Sequence, residues 1–144
     1  MLQLTKRTEY GLIALTHLAG KEGVTSVREI SDRYPIPRRL LAEVLKDLCR
    51  SSFVSSHRGV RGGYTLARPA ETITVGEVVG ALEGHPTLAS CEALGAYMGG
   101  RCGVEHVCPI KSPIHRLRQD IWDLFERTTL HDIASKPRLP VPLA

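Results

Sequence analysis

Three of the four cysteines in this 144-residue chain lie close together in the sequence, at Cys91, Cys102 and Cys108. Ten residues separate the first two and five separate the last two, which is the spacing of neither a paired zinc ribbon nor a ferredoxin. The N-terminus shows no export signal, so a metal, a cluster or redox chemistry is a more expected use of these thiols than a disulfide. Glycines in the same segment lower the steric cost of the turns that would bring three thiolates together.

A metal site with three thiolates needs a fourth ligand from elsewhere in the chain. His106 is nearest in sequence, His85 and His115 are alternatives, and a carboxylate from another helix is a further one. The competing interpretation is three unrelated thiols packed as small apolar side chains, but an irregular loop offers little apolar packing for them. Cys49 adjoins Leu48 on a predicted amphipathic helix, and we expect it to be such a packed residue.

The cysteine segment is predicted to be a long irregular loop, residues 84–110, between two helices. Thr74 and Glu77 have the spacing of a capping box, which predicts a short helix before the loop. A long helix is predicted from Lys111 to Thr128, because apolar residues recur there at steps of three and four. One small domain cannot cover this face, so we expect it to pack against a second subunit, with packing against the first helix as the alternative. The predicted interface residues are Ile114, Leu117, Ile121 and Leu124.

Three helices are predicted in the N-terminal part of the chain, over residues 4–19, 26–33 and 37–50. Around the third helix, five aliphatic residues fall on one side, and three cations with one carboxylate fall on the other. A short helix, a tight turn and such a helix form the outline of a helix-turn-helix, and an ordinary amphipathic surface helix is the alternative. The aliphatic residues are Leu40, Leu41, Val44, Leu45 and Leu48, and the charged ones are Arg39, Glu43, Lys46 and Arg50.

A β-hairpin is predicted directly after the third helix. Residues 53–57 have the composition of a strand, residues 58–63 supply the glycines of a tight connection, and residues 64–67 can pair back. A hairpin with arginines at its tip is typical of the wing of a winged-helix domain, whose cations follow a phosphate backbone or enter a minor groove. The candidate DNA contacts on this helix and wing are Arg38, Arg39, Lys46, Arg50, Arg58 and Arg61.

Charge is distributed unevenly along the chain. Residues 1–75 hold twelve Lys and Arg against seven Asp and Glu, a net charge of +5, whereas residues 76–144 carry −1. The basic half therefore suits a polyanion such as double-stranded DNA. No run of 18 apolar residues, no nucleophile motif and no phosphate-binding loop occurs, so we expect a cytoplasmic protein that is not an enzyme and has neither a membrane partner nor a small-molecule substrate.

Together these elements predict a mostly α fold with a small β-hairpin wing, in which a winged helix-turn-helix is followed by a long dimerisation helix. The expected organisation is a DNA-binding domain over residues 1–83 and a cysteine loop over 84–110. The dimerisation helix and a short C-terminal helix occupy 111–135, and a disordered tail follows over 136–144.

The sequence resembles the iron–sulfur-sensing winged-helix transcription regulators of bacteria typified by IscR and NsrR. Besides the three-cysteine loop, the most specific segments are LTKRTEYGL at 4–12, VSSHRGVRGGY at 54–64 and ITVGEVV at 73–79. The resemblance implies a homodimer in which Cys91, Cys102 and Cys108 hold a cluster, with [2Fe-2S] preferred over [4Fe-4S]. It also implies a fourth, acidic ligand from the partner's first helix, which matches Glu9. The histidine that the IscR type places three positions after the last cysteine is Lys111 here, so His106 is the reserve.

These observations predict a transcription regulator whose cluster state sets its affinity for operator DNA. The signal would be cluster status or redox or nitrosative stress, and cluster-assembly genes are the first expected targets. One alternative keeps the DNA binding and replaces the cluster by thiol oxidation or zinc. Another, from a different class, is an electron carrier or cluster-delivery protein, and the basic wing argues against it because such a protein has no use for a DNA reader.

Overall fold

The computed structural model describes residues 3–85, 87–89, 102–104 and 106–135. Within these ranges the chain is mostly helical, with one two-stranded antiparallel sheet, and the predicted fold class is confirmed. The elements in chain order are helices α1 (Lys6–Ala19), α2 (Val27–Arg33) and α3 (Arg38–Arg50), strands β1 (Val54–His57) and β2 (Gly63–Leu66), a 3₁₀ turn (Ala70–Thr72), and helices α4 (Val75–Leu82), α5 (Lys111–Arg127) and α6 (Leu130–Ser135).

The helix-turn-helix is held by an apolar core between α1, α2 and α3. Ser26 begins α2 by accepting a hydrogen bond of 3.1 Å from the Glu29 N–H, and Pro37 directly precedes the first turn of α3. The aliphatic face of α3 lies in the core as its spacing predicted, so the charged face of this helix is left at the surface. The fully buried apolar residues of these helices are Leu41, Val44, Leu45 and Leu48 from α3, Ala14 and Leu15 from α1 and Ile30 from α2.

The wing is the antiparallel pair of β1 and β2. Its register runs from Val54 opposite Leu66 to His57 opposite Gly63. Phe53 and Val54 are buried, which anchors the root of the wing in the core and leaves its tip projecting.

The base of the wing is also tied to the chain that precedes α2. Thr25 and Tyr64 exchange backbone hydrogen bonds of 3.0 and 2.8 Å. Gly63 allows this approach, because a Cβ at that position would lie 2.2 Å from the carbonyl oxygen of Thr25. This pairing, which no local sequence pattern predicted, fixes the wing relative to the helix-turn-helix.

The capping box predicted before α4 is present. The Thr74 hydroxyl accepts a hydrogen bond of 3.1 Å from the Glu77 N–H, and the Glu77 carboxylate accepts one of 2.9 Å from the Thr74 N–H. Arg68 donates a further hydrogen bond of 2.8 Å to Glu77. Burial raises the pKa of Glu77, but the hydrogen bonds from Thr74 and Arg68 outweigh it, and the pKa lies below its ordinary value.

Helix α5 lies antiparallel along α4, and Gly76 of α4 permits the close contact while Gly80 faces the ring of Trp122. A Cβ on Gly76 would lie 2.9 Å from Oε1 of Glu126, and one on Gly80 would lie 3.5 Å from the ring of Trp122. The direction follows from this pairing, because the later glycine faces the earlier residue of α5. The intramolecular packing of α5 is thus mainly on α4 rather than on the first helix.

After α5 the chain returns to the core. The Val75 N–H donates to the Thr128 carbonyl at 2.8 Å, and the Leu130 N–H donates to the Ile73 carbonyl at 2.7 Å. Leu130 is buried in the same core as α1 and α3, and α6 packs against α1. The C-terminal end of α5 is therefore fixed to the winged helix.

Candidate DNA-binding surface and cysteine segment

The outward face of α3 presents two cations, Arg39 and Lys46. The Arg39 side chain is 94% exposed, and its Nε lies 3.4 Å from Oε1 of Glu43 one turn further along. Lys46 is exposed and forms no ion pair within the described ranges. An exposed ion pair of this kind contributes only about 0.3–0.5 kcal/mol, so a phosphate or a base can compete with Glu43 for Arg39.

Arg38, the first residue of α3, is turned back toward α2. Its Nε donates to Oγ of Ser31 at 3.1 Å, and its Nη2 donates to Oδ1 of Asp32 at 2.7 Å. The hydrogen bond from Arg38 lowers the pKa of Asp32 below its ordinary value, and Arg28 acts in the same direction. Arg38 therefore joins the two helices and is less available to DNA than Arg39.

Asp47, near the end of α3, binds two arginines. Arg50 donates from Nη1 to Oδ1 at 2.7 Å, and Arg7 of α1 donates from Nη2 to Oδ2. The Asp47 side chain is only 21% exposed, whereas that of Arg50 is 76% exposed. The sequence pattern indicated Arg50 as a DNA contact but not Arg7 or Asp47, because no local pattern signals a contact between residues 40 positions apart.

The wing tip carries two further cations, Arg58 and Arg61, which are exposed and form no ion pair in the part of the chain that the structure describes. Val60 lies between them, and its side chain is fully exposed. Gly59 has a φ of 115°, a conformation that residues with a Cβ rarely adopt. The Gly62 N–H closes the turn on the Gly59 carbonyl at 3.0 Å. The tip is therefore a tight turn that projects two cations away from the core.

Helix α5 has an apolar face that the described chain leaves open. None of its 17 residues is buried. Leu117 and Leu124 are 49% and 53% exposed, and Ile114 and Ile121 are partly buried. An apolar seam of this length on a surface helix suits a partner helix.

Two of the three clustered cysteines lie within the described ranges. Cys102 and Cys108 are free thiols with partly buried side chains, and Cys91 lies outside the described residues. Among the described residues no three His, Cys, Asp or Glu side chains converge, so His106, which is exposed, does not form such a group with these two cysteines. Cys49 is also a free thiol and packs against the core, as expected.

Glu9, in the first turn of α1, forms an ion pair of 2.5 Å with Lys6, and its side chain is 34% exposed. The same end of α1 is joined to the residue that directly precedes the cysteine segment, because Glu83 accepts a hydrogen bond of 3.1 Å from the Thr5 N–H. No sequence pattern pointed to Glu83, since nothing local connects the end of α4 with a residue 78 positions earlier.

Comparison with known proteins agrees with this arrangement. A family model described as the iron-dependent transcriptional regulator Rrf2 matches residues 4–136. The chain belongs to the Rrf2 family. Its resemblance to IscR-type regulators is thereby confirmed at the level of the family, and this Rrf2 protein is a DNA-binding transcription regulator and not an enzyme.

Several solved structures are similar to this Rrf2 protein. CymR, the global cysteine regulator of B. subtilis, is 29% identical, with a TM-score of 0.77 over 94% of this chain and 98% of that one. An oxidised form of Staphylococcus aureus CymR is 25% identical, with a TM-score of 0.73 over 96% of this chain and 100% of that one. IscR of T. potens is 26% identical, with a TM-score of 0.72 over 93% of this chain and 87% of that one.

Across residues 3–85, 87–89, 102–104 and 106–135, no helix is both long enough and apolar enough to cross a bilayer.

Proposed function

We propose that this Rrf2 protein is a homodimeric regulator whose affinity for operator DNA is set by an iron–sulfur cluster held by Cys91, Cys102 and Cys108. The regulator acts in the cytoplasm, reports cluster status or redox or nitrosative stress, and controls genes for cluster assembly. Ligand-state switches of this kind are local changes that bias the position of a larger element.

The observation that carries this proposal is the pair of free, partly buried thiols at Cys102 and Cys108, in the segment that joins α4 to α5. Thiolates are the soft ligands that iron–sulfur clusters take, so the chemistry of these donors fits the group. When bound, the cluster supplies a redox-active centre, for which [2Fe-2S] is the preferred type. The iron-dependence in the family's description and the likeness to T. potens IscR support the same use.

We assign the fourth ligand to Glu9 of the partner subunit, with His106 in reserve. Among the described residues of one chain, Glu9 does not form a group of three ligands with Cys102 and Cys108, and we place its contribution across the dimer. Among the described residues its carboxylate pairs with Lys6 at the surface, where water and salt weaken an ion pair. Glu9 would therefore exchange Lys6 for a metal at small cost.

The chain's own bonds connect the cysteine segment to the DNA-binding unit. The segment begins at Gly84, whose φ of 82° marks a sharp change of chain direction, and the preceding Glu83 accepts a hydrogen bond from the Thr5 N–H. Ligation of the segment would therefore constrain the chain next to the turn of α1 that carries Glu9. A cluster held by this segment would fix the relative placement of the two DNA-binding domains of the dimer, and its loss would free them.

DNA is read by the exposed face of α3 and by the wing. Arg39 and Lys46 enter the major groove with α3, and Arg58 and Arg61 follow the backbone or enter the minor groove with the wing. Arg38 contributes less, because Ser31 and Asp32 already bind it. The exposed face of α5 joins two copies, and the resulting two-fold symmetry matches the paired half-sites of an operator.

A second candidate function keeps the DNA-binding surface and uses thiol oxidation instead of a cluster. The likeness to CymR, including an oxidised form of the S. aureus protein, favours this candidate. Purification without oxygen distinguishes the two candidate functions. A coloured protein that contains iron and sulfide supports the cluster, whereas a colourless, metal-free protein whose DNA affinity changes on thiol oxidation supports the second candidate.

Single serine substitutions test the cysteine ligands. Cys91→Ser, Cys102→Ser and Cys108→Ser should each abolish or strongly reduce iron content and visible absorbance, because an alkoxide is a poor substitute for a soft thiolate. Cys49→Ser, which changes a thiol packed against the core, is the matched control and should keep the cluster. Full retention of iron in any of the three loop variants would remove that cysteine from the site.

The fourth ligand is tested by comparing Glu9→Ala with His106→Ala, both assembled without oxygen. Glu9→Ala should shorten the lifetime of the cluster under an oxygen titration, and His106→Ala should behave as the wild type. The reverse result would place the fourth ligand within the loop.

A further inference from the structure

A carboxylate on a DNA-reading helix is an unexpected feature, because it repels the phosphate backbone. Asp47 is such a residue, three positions before the exposed Arg50 on α3. It is far less exposed than the other carboxylate on the reading helix: its side chain is 21% exposed, whereas that of Glu43 is 51% exposed. A partly buried carboxylate interacts more strongly with its partners than an exposed one, because water screens it less.

Each oxygen of Asp47 is bound by a different arginine. Oδ1 accepts from Arg50 at 2.7 Å, and Oδ2 accepts from Arg7, which belongs to α1. The side chains of Arg50 and Arg7 are 76% and 41% exposed. A guanidinium has five N–H donors in a rigid plane, so each arginine keeps donors free after it has bound the carboxylate.

The three side chains carry a net charge of +1, from two guanidinium groups and one carboxylate. Because the carboxylate lies between the arginines, it orients both side chains before DNA arrives. Ordering a flexible side chain on binding otherwise reduces affinity by up to about tenfold for each side chain. Orienting the arginines in advance raises the affinity only of a complex with fixed geometry, since non-specific complexes depend on charge and not on orientation.

We propose that Asp47 is a positioning residue for operator binding, which orients Arg50 and Arg7 toward the DNA backbone, and that Arg7 of α1 thereby belongs to the DNA contact surface. This inference rests on the assignment of α3 as the reading helix and is independent of how the cysteines are used. Asp47 lowers charge-driven binding to any duplex, and it favours the complex in which the arginines meet phosphates at set positions.

The test uses the full-length protein and two duplexes, one selected by the protein from a randomised library and a shuffled duplex of the same composition. Asp47→Asn keeps the size of the side chain and removes its charge. Affinity for the shuffled duplex should rise, with a log–log salt slope steeper by up to about 0.9. The ratio of affinities for the selected and shuffled duplexes should fall by about tenfold.

Two further variants separate positioning from charge. Glu22→Gln makes the same change in net charge at an exposed residue that has no ion pair among the described residues, so the ratio should stay at the wild-type value. Arg7→Lys keeps the charge and removes the planar guanidinium group. The ratio of affinities for the selected and shuffled duplexes should therefore fall, while the salt slope on the shuffled duplex stays unchanged.

An unchanged ratio in both Asp47→Asn and Arg7→Lys would overturn the proposal, and so would an equal fall of the ratio in Glu22→Gln. If Asp47→Asn does not fold, Arg7→Lys and Arg50→Lys decide the question by the same ratio. Lys46→Ala distinguishes failure of the underlying assignment. Unchanged affinity of Lys46→Ala for the selected duplex would mean that α3 is not the reading helix, whereas weakened affinity beside unchanged ratios would refute positioning alone.

Discussion

The exposed leucines of α5 allow us to predict how much affinity the proposed dimer loses when they are replaced. Leu117 and Leu124 are 49% and 53% exposed in the single chain. Burying a whole leucine side chain contributes about 1.5–3 kcal/mol, so covering the exposed half contributes about 1 kcal/mol. In a two-fold symmetric dimer each leucine occurs once in each subunit, so four leucine side chains are covered. Replacing both leucines by alanine therefore destabilises the dimer by about 4 kcal/mol. This corresponds to a Kd raised by about three orders of magnitude.

Sedimentation equilibrium over a dilution series measures this change directly. The double variant Leu117→Ala, Leu124→Ala should shift to monomer while its circular dichroism spectrum stays close to that of the wild type, because neither side chain is buried in one chain. Its Tm should fall toward that of the isolated monomer, because the dimer no longer stabilises the folded state. The matched control is Val60→Ala at the wing tip, which removes apolar surface from a fully exposed residue away from α5 and should leave the dimer intact. A double variant that dimerises as tightly as the wild type would refute the assignment of this face to the interface.

Three further predictions concern the wing and the start of α4. Replacing Arg58 and Arg61 by alanine should reduce the log–log salt slope of operator binding by about 0.9 for each phosphate that is no longer neutralised, and an unchanged slope would exclude the wing from the DNA-binding surface. Thr74→Ala should lower the free energy of unfolding in urea by about 1 kcal/mol, because it removes a helix cap, and an unchanged midpoint would contradict that role. The pKa of Glu77 lies below its ordinary value of 4.5, so its ionised form stabilises the fold above that pH, and this contribution is lost as the pH falls through the lowered pKa. Glu77→Gln should therefore be less stable than the wild type at neutral pH and lose less stability on acidification. If the free energies of unfolding in urea of the variant and the wild type fell in parallel below pH 4.5, this linkage would be wrong.

Local sequence patterns predicted most of the winged helix. The aliphatic spacing of α3 identified its buried face, including Leu41, Leu45 and Leu48, and the capping signals at Ser26 and Thr74 identified the starts of α2 and α4. These predictions succeeded because helical periodicity and capping depend on residues within a few positions of one another. The arginines and glycines of the wing were recognisable for the same reason.

The contacts between distant parts of the chain were decided only by the tertiary structure. Asp47 meets Arg7 across 40 residues, and Glu83 meets Thr5 across 78. Helix α5 packs on α4 because Gly76 admits it closely, a fit that periodicity does not encode. The sequence by itself determined which residues could form helices, a wing and thiolate ligands, since residue type and short-range spacing set local conformation and donor chemistry. Which charged groups face one another depends on how the helices pack, because packing brings together side chains whose separation along the chain is arbitrary.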